Sequence, residues 1–297
     1  MNTVTLRSYA KINLSLDVTG VREDGYHLLS SVFQQISLYD GVRVRREAGN
    51  GGIKIRCNLP YIPTDERNIV HKVATAFFRE MGIPEYQITI DLRKTIPSGA
   101  GLGGGSSNGA AVFSALCRLY QISVPTQRAI EILTPLGADI PFFLYGGTML
   151  AQGVGEILTP APPLKDCFIV LAKPKAGAST KQIYEKLEET GIPRHPDTPG
   201  VLAALADGDL CRLSAASENV LEPATFALRP QVASLKQAML QQRPAHALMS
   251  GSGSCVFGIF TQERDARRAM KALRVRTNTV FLTRPIHRPM RTYWNKR

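Results

Sequence analysis

Long apolar runs are missing from this 297-residue chain. No stretch of about 18 apolar residues occurs, so nothing reads as a membrane span. The opening MNTVTLRSYAKINLSLD alternates polar and apolar residues and lacks a signal-peptide core. Cysteine is sparse: Cys57, Cys117, Cys167, Cys211 and Cys255 lie far apart, with no C-x-x-C among them. That argues against a zinc cage or a disulfide frame and leads to the expectation of a reducing cytoplasm. Acidic residues are also short, 24 against 36 Lys and Arg, for a net charge of +12. The deficit is local. Residues 264–297 carry eleven Lys/Arg and one Asp, and setting them aside leaves 25 cations against 23 anions. A basic end of this kind reads first as a solvated surface. Its Tyr293 and Trp294, set among bases, keep a nucleic-acid partner as the less favoured alternative.

Glycine, by contrast, is concentrated. The stretch IPSGAGLGGGSSNGAA, residues 96–111, holds six glycines, which are costly to order. Gly99 to Gly104 fits G-x-G-x-x-G, the dinucleotide-binding pattern. That pattern requires a buried parallel strand before it and an acid about 20 residues after it. Here the preceding strand alternates as QITIDL, and the first acid beyond the loop is Glu131. No Gly-Lys follows the glycines, and the chain has neither H-R-D nor D-F-G. The dinucleotide, P-loop and protein-kinase templates are therefore excluded. What remains is strand, glycines, Ser-Ser-Asn and helix. Backbone amides and a helix N-terminus converge there, as an anion site requires, with Ser106, Ser107 or Asn108 expected to cap a helix over 107–120.

Other segments carry chemistry in smaller pieces. Lys11 and Asn13 stand two apart on a strand, hence on one polar face about 6.6 Å apart, which by itself reads as a solvated face. Beyond that strand, EDGYH at 23–27 offers an aromatic ring and an imidazole. LGADIPF at 136–142 sets Asp139 either as a helix cap ahead of Pro141 or as a functional carboxylate. MSGSGSC at 249–255 is a second glycine turn, either a plain turn or another wall of amides. Apolar spacing predicts helices over 69–81, 127–136, 181–189, 201–213, 230–242 and 264–273. Alternating strands over 4–7, 12–18, 31–38, 42–46, 86–93, 167–171, 255–260 and 279–283 imply antiparallel pairing covered on one side, an α+β fold. The prolines of TPAPPL at 159–164 suggest a boundary between domains 1–162 and 163–297.

Taken together, AKINL at 10–14, GYH at 25–27, residues 97–108, LGADIP at 136–141 and SGSGS at 250–254 resemble the GHMP small-molecule kinases. The longer loop GLGGGSSN at 101–108 and the extreme N-terminal AKINL are similar to one branch, whose substrate is a cytidine diphosphate-linked methylerythritol. The resemblance implies a two-domain GHMP kinase fold. Its N-terminal half would resemble the second domain of ribosomal protein S5, and its C-terminal half would be ferredoxin-like. It implies ATP-dependent phosphorylation of a hydroxyl of that small molecule, in isoprenoid precursor biosynthesis. It further implies that ATP is held by Pro97, Ser98, Gly99, Ala100, Gly101, Leu102, Gly103, Gly104, Gly105, Ser106, Ser107 and Asn108, with Asn68 and Lys94 at the adenosine. Tyr26, His27 and Tyr184 would hold the cytidine, Asn13 and Thr180 the acceptor side, and Ser250, Gly251 and Gly253 the substrate. Asp139 and Lys11 would be catalytic. Mg²⁺ would arrive with ATP, and Ser107 is the one candidate ligand for it.

Overall fold

Strands β1 (Thr3–Val21) and β2 (His27–Arg46) form one long antiparallel hairpin, where the sequence predicts four shorter strands. Register shifts after Tyr9, Asn13 and Val18 let the ribbon bend without ending. The computed structural model describes residues 2–287 except Ala176 and Ala178, so Tyr293 and Trp294 lie outside the described residues. β2 pairs at one end with β4 (Gln87–Arg93) and at the other with β5 (Thr148–Gly153). β3 (Gly52–Cys57) adds to β4 in parallel, and β6 (Ile157–Pro160) adds to β5, completing a six-stranded sheet. β6 ends at Pro160 on the sheet edge, within the proline-rich stretch 159–164.

Helix α1 (Ile69–Glu80) and helix α2 (Gly104–Tyr120) cover the inner face of this sheet, with the short α3 (Thr126–Leu133) and α4 (Ile140–Tyr145) beside them. α2 is buried along most of its length because its inward residues are small or apolar and pack against both α1 and the hairpin. Phe33, Phe77, Phe113, Phe142 and Phe143 fill the gap, meeting edge to face at 5.1–5.7 Å.

The second half builds an antiparallel sheet in the order β10 (Thr279–Thr283), β7 (Phe168–Lys173), β9 (Val256–Phe260), β8 (His246–Met249). Helices α5 (Thr180–Thr190), α6 (Thr198–Asp207), α7 (Leu210–Ala216), α8 (Glu222–Leu228), α9 (Pro230–Leu240) and α10 (Glu263–Leu273) surround it. β3, β5, β6, β8 and α8 were not legible in the sequence, and 201–213 is two helices broken at Gly208. A shared core joins the two sheets, with Ala10, Ile12 and Leu14 of β1 against Leu171 and Phe257.

That union corrects one expectation. The polar face of β1 is not solvated: Lys11, Asn13, Ser15 and Asp17 are all buried. The second half closes over it. Leu16 N donates to Glu218 O at 2.8 Å, Val220 N to Leu16 O at 3.0 Å, and Asn13 N to Ser250 Oγ at 3.3 Å. Buried polar groups must be paired, so this face became a hydrogen-bonded seam.

Candidate active site

The glycine loop opens α2 three residues earlier than expected, at Gly104, with Gly103 as a left-handed cap residue. The first intrahelical bond runs from Ser107 N to Gly103 O, so the amides of Gly104, Gly105 and Ser106 precede it. No side chain caps them. The expected Ser or Asn cap is thus overturned, and the helix end presents its amides and dipole uncovered. Two glycines are sterically required. At Gly101 (φ +71°) a Cβ would come 1.8 Å from Ser250 O, and at Gly103 (φ +67°) 2.6 Å from the Phe143 ring. An anion reaching these amides would meet backbone, not side chains, which is the cradle a triphosphate needs.

The second glycine turn holds the loop from behind. Ser250 Oγ donates to Gly101 O at 2.8 Å, Cys255 N to Ala100 O at 3.2 Å, and Ser254 N to Gly99 O at 3.3 Å. Ser250, Gly251 and Gly253, expected at the substrate, are buried in the turn that braces the loop. Leu102 is likewise locked, accepting from Lys11 N at 3.0 Å. Pro97, Ser98 and Gly99 are more open, at the mouth of the loop.

Beneath the loop lies a residue that sequence reasoning missed. Asp40 is fully buried and accepts from Thr95 N at 2.6 Å, Ile96 N at 2.8 Å and Asn108 Nδ2 at 3.0 Å, and it is ion-paired with Lys94. Its signal was present: a carboxylate in the apolar register of Ile36, Leu38, Val42 and Val44. Lys94 Nζ also donates to Asn108 Oδ1 at 2.7 Å, and Asn108 Nδ2 to Ser8 Oγ at 2.8 Å. Ser107 Oγ donates to Tyr9 O at 2.6 Å and accepts from Ser8 Oγ at 2.8 Å. These side chains support the loop from inside. Lys94 and Asn108, expected at ATP, and Ser107, expected at Mg²⁺, thus commit polar atoms to one another and to the protein interior. Asn68 is committed too, capping α1 through Val70 N at 3.1 Å and donating to Pro63 O at 2.5 Å. Among the described residues, no group of three or more His, Cys, Asp or Glu is placed to hold a metal ion.

The catalytic candidates do meet. Lys11 Nζ stands 3.6 Å from Asp139 Oδ2, the lysine side chain 5% exposed and the aspartate 34%. Asp139 precedes α4 but has helical backbone angles, so its carboxylate does not turn back to cap and faces the lysine instead. Lys11 Nζ also donates to Asn13 Oδ1 at 2.6 Å and lies 4.5 Å from the centre of the Phe33 ring. Burial lowers its pKa below the ordinary lysine value, and the Asp139 charge opposes that shift. Asn13 donates in turn to Ser31 Oγ at 2.8 Å, so it orients Lys11 and is itself buried.

The expected cytidine side gathers around α5. His27 and Tyr184 pack ring on ring, centroids 4.3 Å apart and tilted by 30°. Burial, with the Asp139 charge adding, pushes the Tyr184 hydroxyl up to about 12. His27 Nε2 lies 3.1 Å from Glu188 Oε1 without a well-aligned hydrogen bond. Tyr26 is exposed, and Thr180 Oγ1 sits 2.9 Å from Ser252 Oγ.

Residues 68–147 match the GHMP kinases N terminal domain and residues 201–276 the GHMP kinases C terminal domain. A 4-diphosphocytidyl-2-C-methyl-D-erythritol kinase of Clostridium novyi (strain NT) is 40% identical, across 94% of this chain and 99% of its own. Its counterpart in Lachnospira eligens is 38% identical, across 92% and 94%. The crystal structure of a 4-(cytidine 5'-diphospho)-2C-methyl-D-erythritol kinase superposes with a TM-score of 0.79 at 34% identity, covering 95% of this chain and 99% of that one. A homoserine kinase from Cytophaga hutchinsonii shares the fold, with a TM-score of 0.75 at 19% identity over 97% and 96%. An uncapped glycine cradle facing a lysine–aspartate pair, on a chain matched at both ends, means that this protein belongs to the GHMP kinase family.

Proposed function

We propose that this small-molecule kinase phosphorylates a hydroxyl of 4-diphosphocytidyl-2-C-methyl-D-erythritol, a step of isoprenoid precursor biosynthesis. The observation that carries the reading is the Lys11–Asp139 pair beside an uncapped glycine cradle. The names of relatives at 37–40% identity over nearly the whole chain support the substrate.

Residues 97–106 hold the nucleotide, with the amides of Gly104, Gly105 and Ser106 directed at its phosphates. ATP supplies the phosphoryl group, and Mg²⁺ carried on its phosphates supplies charge neutralisation. Asp139 accepts the proton of the attacking hydroxyl. A carboxylate is a weak base toward an alcohol, so that proton moves late, as charge develops. Lys11 orients the carboxylate, and its ammonium attracts the anionic oxygens brought to the cradle. Tyr184, His27 and the exposed Tyr26 hold the cytosine by stacking and at its edge, while Thr180 lies on the acceptor side. Residues 1–162 act as the nucleotide domain and 163–297 as the domain that closes the acceptor side. Five free, dispersed cysteines support a cytoplasmic enzyme.

ADP release measured with 4-diphosphocytidyl-2-C-methyl-D-erythritol, mevalonate, homoserine and galactose tests the reading. Turnover confined to the first is expected. Turnover with another acceptor would reassign the substrate, and silence across the panel would refute the kinase mechanism.

A further inference from the structure

Asn219 stands just before α8 and is 2% exposed. The backbone on either side of it is stitched to β1, through Glu218 O and Val220 N, which both bond to Leu16. Its side chain reaches the second glycine turn. Nδ2 donates to Met249 O at 2.7 Å and to Gly251 O at 2.8 Å, and Oδ1 accepts from Leu221 N at 3.0 Å. The three partners agree on one orientation of the amide, and both of its hydrogens go to carbonyls two residues apart. A carboxylate here would set oxygen against oxygen, and an apolar side chain would leave both carbonyls without this donor.

The part of the turn that Asn219 holds is the part that touches the cradle. Between its two acceptors lies Ser250, whose Oγ donates to Gly101 O. Gly251 meets the loop directly: a Cβ added to it would lie 3.3 Å from Gly101 Cα. Ser250 Oγ also accepts from Asn13 N and lies 3.3 Å from Asn13 Oδ1, the atom that receives the Lys11 ammonium. A shift of this turn therefore moves the nucleotide loop and the seat of Lys11 together. Gly251 and Gly253 both sit at positive φ, so the turn has little stiffness of its own, and a two-pronged clamp supplies it. Glu222 grips only the strand that leads into the turn. It accepts from Met249 N at 2.8 Å and is ion-paired with Lys236.

We propose that Asn219 is a positioning residue for phosphoryl transfer, acting through the 249–251 turn on the glycine cradle and on Lys11. The assignment rests on the reading of the cradle as the nucleotide site.

Calorimetric titration of the full chain with a non-hydrolysable ATP analogue, paired with melting curves and turnover, tests it. Asn219→Asp should weaken the analogue about tenfold or more. It should also lower kcat, by about 10²-fold if the loop moves by about 1 Å. Glu222→Gln is the comparison, because it keeps an acceptor for Met249 N and loses the ion pair. Its melting temperature should fall while its affinity for the analogue is retained. If Asn219→Asp does not fold, Asn219→Ala, which leaves room for water at the two carbonyls, carries the same expectation. No binding by the unaltered chain would refute the nucleotide reading itself, and the assignment with it. Binding by the unaltered chain, with affinity and turnover unchanged in the Asn219 variants, would overturn the assignment alone. An equal loss of affinity in Glu222→Gln, or failure of both Asn219 variants to fold, would make Asn219 structural only and overturn it too.

Discussion

Lys11 Nζ and Asp139 Oδ2 lie 3.6 Å apart, although one comes from the middle of a long strand and the other from the turn before a six-residue helix. The lysine is buried and the carboxylate is partly open, so only the aspartate has room to meet a substrate. This asymmetry supports the roles we propose, with Asp139 meeting the reacting hydroxyl and Lys11 standing behind it.

Asp139→Asn keeps the shape and removes the proton acceptor. We expect kcat to fall by about 10² or more with ATP affinity retained. Steady-state kinetics and a direct ATP titration on the same variant check this, and near-normal turnover would remove Asp139 from the chemistry.

Gly101→Ala places a Cβ against the Ser250 carbonyl, a backbone atom that cannot swing away, at a φ of +71°. The loop must shift, and displacement of about 1 Å at a site of this kind costs about 10²-fold in rate. The measurement is kcat/KM for ATP alongside a melting curve. An unaffected variant would show that the cradle does not position the phosphates.

Asp40→Asn leaves the Lys94 ammonium buried without its counter-charge, a loss of about 3–5 kcal/mol. Pairing it with Lys94→Met removes the stranded charge and should recover most of the stability. The Thr95 and Ile96 amides then lose their shared carboxylate, so KM for ATP should stay raised in the double variant while KM for the acceptor does not. Equal changes in both constants would make Asp40 structural only.

His246 is buried against Phe257, and neither ring nitrogen makes a well-aligned hydrogen bond. Burial lowers its pKa from 6.5 to about 4; the nearby Leu14 backbone opposes the shift, and Lys236 adds to it. Below pH 6.5 the unfolded chain takes up a proton that the folded chain refuses. Its contribution is therefore fully present above pH 6.5 and is lost as pH falls toward 4, by as much as about 3 kcal/mol. Denaturant unfolding across that window should show the loss, and His246→Leu should flatten it.

The glycine loop was legible because its chemistry is local: consecutive residues make both the turn and the helix end. Asp139 was legible as a position but not as a choice between cap and carboxylate, since its own backbone angles decide that. Asp40 was passed over because its partners lie 54 to 68 residues away in sequence. Its place on the apolar face of β2 was the only trace it left.

The sequence by itself determined the α+β layout, the anion-binding loop and the residue types that meet there. Periodicity, glycine content and short motifs are properties of neighbours along the chain, and they survive without a fold. Only the tertiary structure decided that the polar face of β1 is sealed, that Ser250 braces Gly101, and that Ser107, Asn108 and Lys94 point inward. Those outcomes depend on which surfaces the second half covers, and buried polar atoms then take whichever partners lie within reach.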